Sequence, residues 1–134
     1  MLLIPQMNNQ LESIHYAVNW WMTLFTGATE LPFNYIVRIM DTFLYEKQKI
    51  LYRISLTILK IKEKELLTKK DLCSMLPLIN KEFEGPIWED EDAFFKIAFG
   101  IHFTRSQIKV KSKFSRNPDV FFFWLSRNYR IKSW

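Results

Sequence analysis

Arg38 and Asp41 form a pair of opposite charges inside an otherwise apolar stretch, Pro32 to Glu46. Being three positions apart, they would share one face of a helix and could form an ion pair. Such a pair could belong to an active site, recognise a partner or hold helices together. If it is partly buried, losing one partner strands the other charge at a cost of about 3–5 kcal/mol. We therefore expect Asp41→Asn to reduce the yield of folded protein.

Four consecutive carboxylates, Glu89 to Asp92, are a second candidate for chemistry. A calcium-binding EF-hand loop needs alternating ligands, a central glycine and a terminal glutamate, and this spacing is absent. An apolar helical pattern follows the four residues, and negative charge at a helix start is stabilised by the helix dipole. We interpret them as a helix N-terminus rather than a metal or acid–base site.

Cysteine and histidine offer no metal site. The single cysteine, Cys73, and the two histidines, His15 and His102, lack the spacing of a zinc motif. Cys73 lies in an apolar pattern, which predicts a buried structural thiol. Three glycines are too few and too scattered for a phosphate-binding loop. The sequence therefore predicts no catalytic residue, no metal and no cofactor.

The segment 109–134 carries seven basic residues and one acidic residue, a net charge of +6, whereas residues 1–108 carry −1. Aromatic residues are interleaved with the basic ones. This composition suits an anionic membrane surface, a single-stranded nucleic acid, or a helix whose aromatic side chains enter the core. No nucleic-acid-binding motif accompanies the charge, so we do not expect a nucleic-acid partner.

Helices are expected to position these groups. Apolar residues recur at helical spacing over Asn8–Phe25 and Phe33–Leu44. The stretch Lys47–Leu67 matches both a strand and a helix, but its length favours one long helix buried on more than one face. Thr68 and Asp71 predict the start of a short helix that Pro77 closes.

The pattern continues with a helix after Asp92, another from a capping box at Thr104–Gln107, and a last apolar segment after Pro118. No apolar run reaches the roughly 18–20 residues of a membrane span, and no signal peptide is evident. The sequence therefore predicts an all-α array of about six or seven helices.

The stretch from Asn19 to Lys60 adds several short motifs in a fixed order: Trp20–Phe25, Leu31–Pro32, Arg38–Glu46 and Leu51–Lys60. It resembles the C-terminal half of a TBC domain, an all-helical fold of GTPase-activating proteins for Rab-type small GTPases. The resemblance implies a partial TBC-like domain over residues 1–108, clearest over 19–60, with 109–134 unassigned. The residues that carry the family signature, for which we expect structural roles, are Trp20, Phe25, Pro32, Arg38, Asp41, Glu46 and Arg53.

The chain departs from the family pattern at Lys47, where a glycine is usual. Because glycine tolerates a positive φ, we expect Lys47 to be strained or to adopt another geometry. The family's catalytic fingers, an arginine in I-x-x-D-x-x-R and a glutamine in Y-x-Q, are not found. Ile87–Ala93 has alanine where the arginine belongs and lies on the wrong side of the signature. Tyr45 and Gln48 are separated by two residues, whereas the Y-x-Q motif has only one.

The resemblance implies a Rab-type GTPase as partner and a role in GTPase activation and vesicle trafficking. Without the fingers, we expect the chain to be a regulator of an enzyme rather than an enzyme. The alternative is a non-catalytic TBC-like interaction module. We expect a cytoplasmic location, with contact to endomembranes through 109–134. Half of a helical domain would also leave an apolar face uncovered and stability marginal.

Overall fold

The computed structural model describes residues 17–27, 29–69, 71–81, 83–102 and 106. The regular secondary structure within these ranges consists only of helices, as the sequence predicts. The seven helices are α1 Ala17–Met22, α2 Phe33–Glu46, α3 Gln48–Ile61, α4 Glu63–Thr68, α5 Leu72–Asn80, α6 Pro86–Glu89 and α7 Glu91–Phe99. The helices expected from Thr104 and after Pro118, and the boundary between 1–108 and 109–134, lie outside the described residues.

Helix α3 is the centre of the core and is buried on all sides. Its buried residues include polar ones, and they are Ile50, Leu51, Arg53, Ile54, Ser55, Leu56, Thr57, Ile58 and Leu59. The hydroxyls of Ser55 and Thr57 donate to carbonyls one turn earlier, which satisfies them inside the core. Burial all round explains why the alternating pattern of this stretch also resembled a strand. The expectation of a helix buried on several faces is confirmed.

Helix α2 has two apolar faces, and only one of them enters the core. Tyr35 and Ile39 are buried, with Ile36 and Phe43 partly buried beside them. The sequence periodicity favoured one stripe, and the structure divides it. Its members Ile36 and Phe43 pack against the core, whereas the other four, Phe33, Val37, Met40 and Leu44, are exposed. Periodicity marks an apolar face but cannot tell which of two such faces meets the core. Four apolar side chains of α2 therefore remain exposed to solvent.

Two helix ends differ from the prediction. The long helix expected over Lys47–Leu67 is broken at Lys62, between α3 and α4. Helix α5 does not end at Pro77 but continues through it to Asn80. As the sixth residue of that helix, Pro77 has no amide hydrogen to donate to the preceding turn, yet the helix continues beyond it, and the amide of Lys81 donates to the carbonyl of Pro77 at 2.8 Å.

Side-chain hydrogen bonds tie α1 to the rest of the core. The indole of Trp20 donates to Asn80 at the end of α5, at 2.8 Å, and the indole of Trp21 donates to Ser55 of α3, at 3.1 Å. Trp20 is fully buried, and the ring of Trp21 packs edge-on against Tyr52, with centroids 4.6 Å apart. The two adjacent tryptophans therefore anchor α1 to different helices.

Helices α6 and α7 bring a cluster of aromatic rings onto α2 and α3. Tyr35 of α2 packs edge-on against Phe94, with ring centroids 5.1 Å apart. Its hydroxyl donates to the carbonyl of Trp88 at 3.0 Å. Phe94 and Phe95 are fully buried, and α7 packs along α3. None of the helices in the described part of the chain is both long enough and apolar enough to cross a membrane.

Candidate functional site

Arg38 joins α2 to the first turn of α7. Its Nη1 donates to Asp92 Oδ1 at 2.7 Å and to Glu91 Oε1 at 3.2 Å, and the guanidinium lies over the ring of Phe95, 4.4 Å from its centroid. Asn34, one turn earlier, also donates to Glu91, at 2.6 Å. The hydrogen bond to Asp92 is the main cause that raises the pKa of Arg38 above its ordinary value. Arg38 therefore acts as a clamp between two helices.

Asp41 is not the partner of Arg38, contrary to the expectation from their spacing. Asp41 is exposed, and the carboxylates that pair with Arg38 come from α7. A charge pair three positions apart on one helix is weak, whereas the start of α7 offers two carboxylates and an aromatic face at once. The expected loss of folded protein in Asp41→Asn has no basis in this geometry.

Glu46 and Arg53 form a second ion pair, at the junction of α2 and α3. Arg53 Nη1 donates to Glu46 Oε1 at 3.1 Å, and only 7% of the Arg53 side chain is exposed. The guanidinium also lies 5.6 Å from the ring centroid of Phe99. This is the more buried of the two arginine pairs, so removing one partner would strand a charge inside the protein.

Lys47, the single residue between α2 and α3, has φ 57° and ψ −137°. This is a conformation that side chains other than glycine rarely adopt. Its amide donates to the carbonyl of Phe43 at 2.8 Å, which closes α2 before the chain turns into α3. The strain expected from replacing the family glycine with lysine is present.

The remaining signature residues have packing roles. Phe25 is fully buried next to Trp20, with ring centroids 5.6 Å apart, and it has a positive φ of 65°. Pro32 precedes α2, and its carbonyl accepts from the amides of Tyr35 and Ile36. These two residues fix how the chain leaves α1 and enters α2.

The four carboxylates from Glu89 to Asp92 divide between two helix boundaries. Glu89 ends α6 and is exposed, while the side chain of Asp90 caps α7 by accepting from the amide of Ala93 at 3.1 Å. Glu91 and Asp92 lie in the first turn of α7 and bind Arg38. The interpretation as a helix N-terminus is confirmed, although α7 begins at Glu91 rather than at the start of the run.

Lys62 is a buried cation that the sequence patterns did not predict. Lys62, between α3 and α4, is almost fully buried, and its Nζ donates to the carbonyl of Leu78 in α5. The same Nζ lies 4.4 Å from the ring centroid of Phe83 and 5.7 Å from that of Trp88. A lysine among five charged residues in "KIKEKE" gives no signal of burial, because the aromatic rings that surround it come from distant positions.

Cys73 is exposed, not buried as its apolar neighbourhood suggested. It follows the first residue of α5, whose buried residues are Met75, Leu78 and Ile79. The helical period places Cys73 on the side away from them. Among the described residues, no group of three or more histidine, cysteine, aspartate or glutamate side chains could hold a metal ion.

Both arginines of the described ranges are held in ion pairs. Arg53 is buried, and Arg38 is engaged by two carboxylates and an aromatic ring. An arginine that enters a neighbouring enzyme's active site must project from the surface and be available to phosphate oxygens. Within the described helices, both arginines are instead engaged in contacts between helices.

Comparison with known proteins agrees with this architecture. The family model of the Rab-GTPase-TBC domain matches residues 4–67. The chain is 34% identical over 98 residues to the Ecotropic viral integration site 5 ortholog of Drosophila melanogaster, covering 73% of this chain and 12% of that protein. It is 32% identical over 112 residues to the Rab GTPase-activating protein eat-17 of Caenorhabditis elegans, covering 83% of this chain and 12% of that protein.

A shorter match, 41% identical over 56 residues, is to the GTPase-activating protein skywalker of Drosophila melanogaster, and it covers 42% of this chain and 9% of that protein. No solved structure matches the chain significantly. The chain thus spans only about an eighth of the length of the first two relatives. Through residues 4–67, the chain belongs to the Rab-GTPase-TBC domain family.

Proposed function

We propose that this chain is part of a GTPase-activating unit for Rab-type small GTPases, in which it supports the part that carries the catalytic fingers. The observation that carries the proposal is that both signature arginines form ion pairs between helices. Arg38 pairs with Glu91 and Arg53 pairs with Glu46, and the family match includes both arginines.

The mechanism assigns the chemistry to residues outside the signature. An arginine finger stabilises charge on the transferred phosphoryl group, and a glutamine orients the attacking water. The signature residues fix the helices on which such a part would rest. Gln48, the one glutamine within the described residues, is exposed at the start of α3 and lies outside a Y-x-Q motif.

A GTP-hydrolysis assay on a panel of Rab GTPases tests this proposal. The chain alone is expected to leave the intrinsic rate unchanged, because an arginine finger contributes about 10³–10⁵-fold. Adding the finger-bearing part of a relative's TBC domain is expected to restore acceleration. The matched control is the same part with its finger arginine replaced by alanine. Acceleration by the chain alone, or none in the complemented reaction, would contradict the proposal.

The second candidate is a non-catalytic interaction module that binds a small GTPase without accelerating hydrolysis. The ion-paired state of both described arginines favours it for the chain on its own. A pull-down with GTP-loaded and GDP-loaded Rab GTPases separates the two functions. Retention of the GTPase without acceleration in the complemented reaction would support the interaction module over the scaffold.

The segment 109–134 is a proposed contact to anionic membranes, which would place the protein in the cytoplasm at the surface of endomembranes. Its net charge of +6 and its interleaved aromatics support this proposal. Co-sedimentation with phosphatidylserine vesicles is expected and should weaken steeply with salt, whereas neutral vesicles should not bind. Equal binding to both vesicle types would contradict it.

A further inference from the structure

The outer face of α2 presents a narrow apolar stripe to solvent. Phe33 and Leu44 at its ends are 80% and 81% exposed, and Val37 and Met40 between them are 41% and 38% exposed. At 3.6 residues per turn, these four positions fall within an arc of about 60°. Their spacing of four, three and four residues is that of the seam along which two helices pack in a coiled coil.

The stripe is broad enough to form the apolar centre of an interface between two chains. Tyr45 at its edge is 84% exposed, so three large side chains of α2, Phe33, Leu44 and Tyr45, are almost fully open to solvent. A standard interface buries about 800 Å² per partner, with its apolar part at the centre and a polar rim around it. Ile36 and Phe43, partly buried beside the stripe, extend the apolar surface on one flank. Exposed apolar surface of this extent marks an interaction site.

The two flanks of the stripe differ in polarity, and this difference selects an orientation. One flank carries Asn34, Asp41 and Tyr45, all exposed, and the other carries Ile36 and Phe43. In an antiparallel pair, each flank meets the same flank of the second helix, whereas in a parallel pair the opposite flanks meet. Only the antiparallel arrangement places polar residues beside polar ones and apolar residues beside apolar ones.

The antiparallel arrangement is also matched residue by residue. With the two-fold axis at the middle of the stripe, Phe33 lies against Leu44 of the second copy, and Val37 lies against Met40. On the polar flank, Asn34 then lies within about one helical turn of Asp41 and of Tyr45 of the second copy. Phe33 of each copy contacts Leu44 of the other, and Val37 of each copy contacts Met40 of the other. The surface is therefore self-complementary, as a two-fold interface requires.

We propose that the outer face of α2 is a self-association surface, on which α2 of a second copy of this chain packs antiparallel. The proposal rests on the geometry of α2 and is independent of any action on a GTPase. Its consequence is a dimer in which the two α2 helices lie at the centre and the clamps between α2 and α7 are on the far sides.

The mass of the full chain in solution, measured by sedimentation across a range of concentrations, tests the proposal. The wild type is expected to form a dimer, and Met40→Lys is expected to raise its dissociation constant at least about tenfold, by burying a charge in the seam. Met22→Lys is the matched control, since Met22 is 82% exposed and lies on α1. Should Met40→Lys unfold, Leu44→Lys replaces it, because Leu44 is 81% exposed and its substitution disturbs the core least.

Disulfide trapping tests the orientation. In a Cys73→Ser background, Phe33→Cys and Leu44→Cys chains of different mass are mixed and oxidised. The antiparallel pair predicts mainly the mixed disulfide between the two variants. A monomeric wild type, a dimer insensitive to Met40→Lys and Leu44→Lys, or disulfides only between identical variants would overturn the proposal.

Discussion

Arg38 and Asp92 are 54 positions apart in the chain, yet Nη1 of the arginine lies 2.7 Å from Oδ1 of the aspartate. Glu91 shares the same donor, and Phe95 lies beneath the guanidinium. The first two turns of α7 thus provide two carboxylates and an aromatic ring that contact the Arg38 side chain. The signature arginine therefore connects α2 to α7 and does not form an ion pair within α2.

Replacing Arg38 by methionine is expected to lower the free energy of unfolding by about 1–2 kcal/mol. Partly exposed ion pairs contribute about 0.2–1 kcal/mol each, and an exposed cation–π contact about 0.5–1 kcal/mol. Urea denaturation at low and high salt checks this, because screening should shrink the difference. Asp41→Asn is the control and should change stability by less than about 0.5 kcal/mol. A larger effect of Asp41→Asn than of Arg38→Met would refute the assignment of the clamp.

Replacing Lys47 by glycine is expected to stabilise the protein by about 1 kcal/mol, because relief of the strained backbone, about 1–3 kcal/mol, is partly offset by the greater conformational freedom that glycine loses on folding. Lys47→Ala removes the same charge but keeps the Cβ, so it should give no such gain. Guanidinium denaturation of the three proteins makes the comparison. Equal stability of the glycine and alanine variants would show that φ 57° is not strained here.

The Glu46–Arg53 pair is expected to show strong coupling in a double-mutant cycle. Arg53→Met alone should cost about 3 kcal/mol or more, because it leaves the Glu46 carboxylate without its cation. Glu46→Gln together with Arg53→Met should cost clearly less than the sum of the two single changes. Denaturation midpoints of the four proteins give the coupling. Additive effects would mean that the 3.1 Å contact contributes nothing.

Stability at alkaline pH should depend on Tyr52. Burial raises the pKa of its hydroxyl above the ordinary value of about 10. A raised pKa in the folded state gives a contribution to stability that is complete below the unfolded pKa and lost as pH rises through the folded one. Thermal melts at increasing pH should therefore show wild type losing stability relative to Tyr52→Phe above about pH 10.

The pKa values of two other groups in the described residues, Tyr35 and Lys60, are also shifted, and they set the background for that comparison. Burial, followed by the nearby Glu91 and Asp90, raises the pKa of Tyr35, which acts in the same direction as Tyr52. Burial lowers the pKa of Lys60, which acts in the opposite direction. Because both remain in Tyr52→Phe, the difference between the two proteins isolates Tyr52. Parallel pH profiles would contradict a perturbed Tyr52.

Local patterns in the sequence were sufficient to predict the helices but not to predict which residues of different helices contact each other. The stretch around Ile54 could be read correctly as helix, because length and composition are local properties. The strain at Lys47 was also predictable, since it depends on one residue type at a turn. Which face of α2 enters the core, and that Arg38 reaches α7, depend on residues more than fifty positions away, and no local pattern contains that information.

Lys62 shows the same limit for a buried charge. Its aromatic neighbours, Phe83 and Trp88, are unremarkable in the sequence and become a binding site for the ammonium only when α6 folds onto the core. Cys73 shows the converse, because an apolar neighbourhood in sequence does not fix which side of a helix a residue occupies. In both cases the sequence indicated a helical region correctly but did not indicate which way the side chain points.

Because α7 packs along α3, the hydrophobic core extends beyond the last residue that the family model matches. Similarity to the family model ends at residue 67, but Phe94, Phe95 and Ala98 of α7 are fully buried in the same core as α3. A helix that is buried all round, as α3 is, cannot remain folded in water by itself. The segment that the family model matches is therefore shorter than the segment that must melt as one cooperative unit.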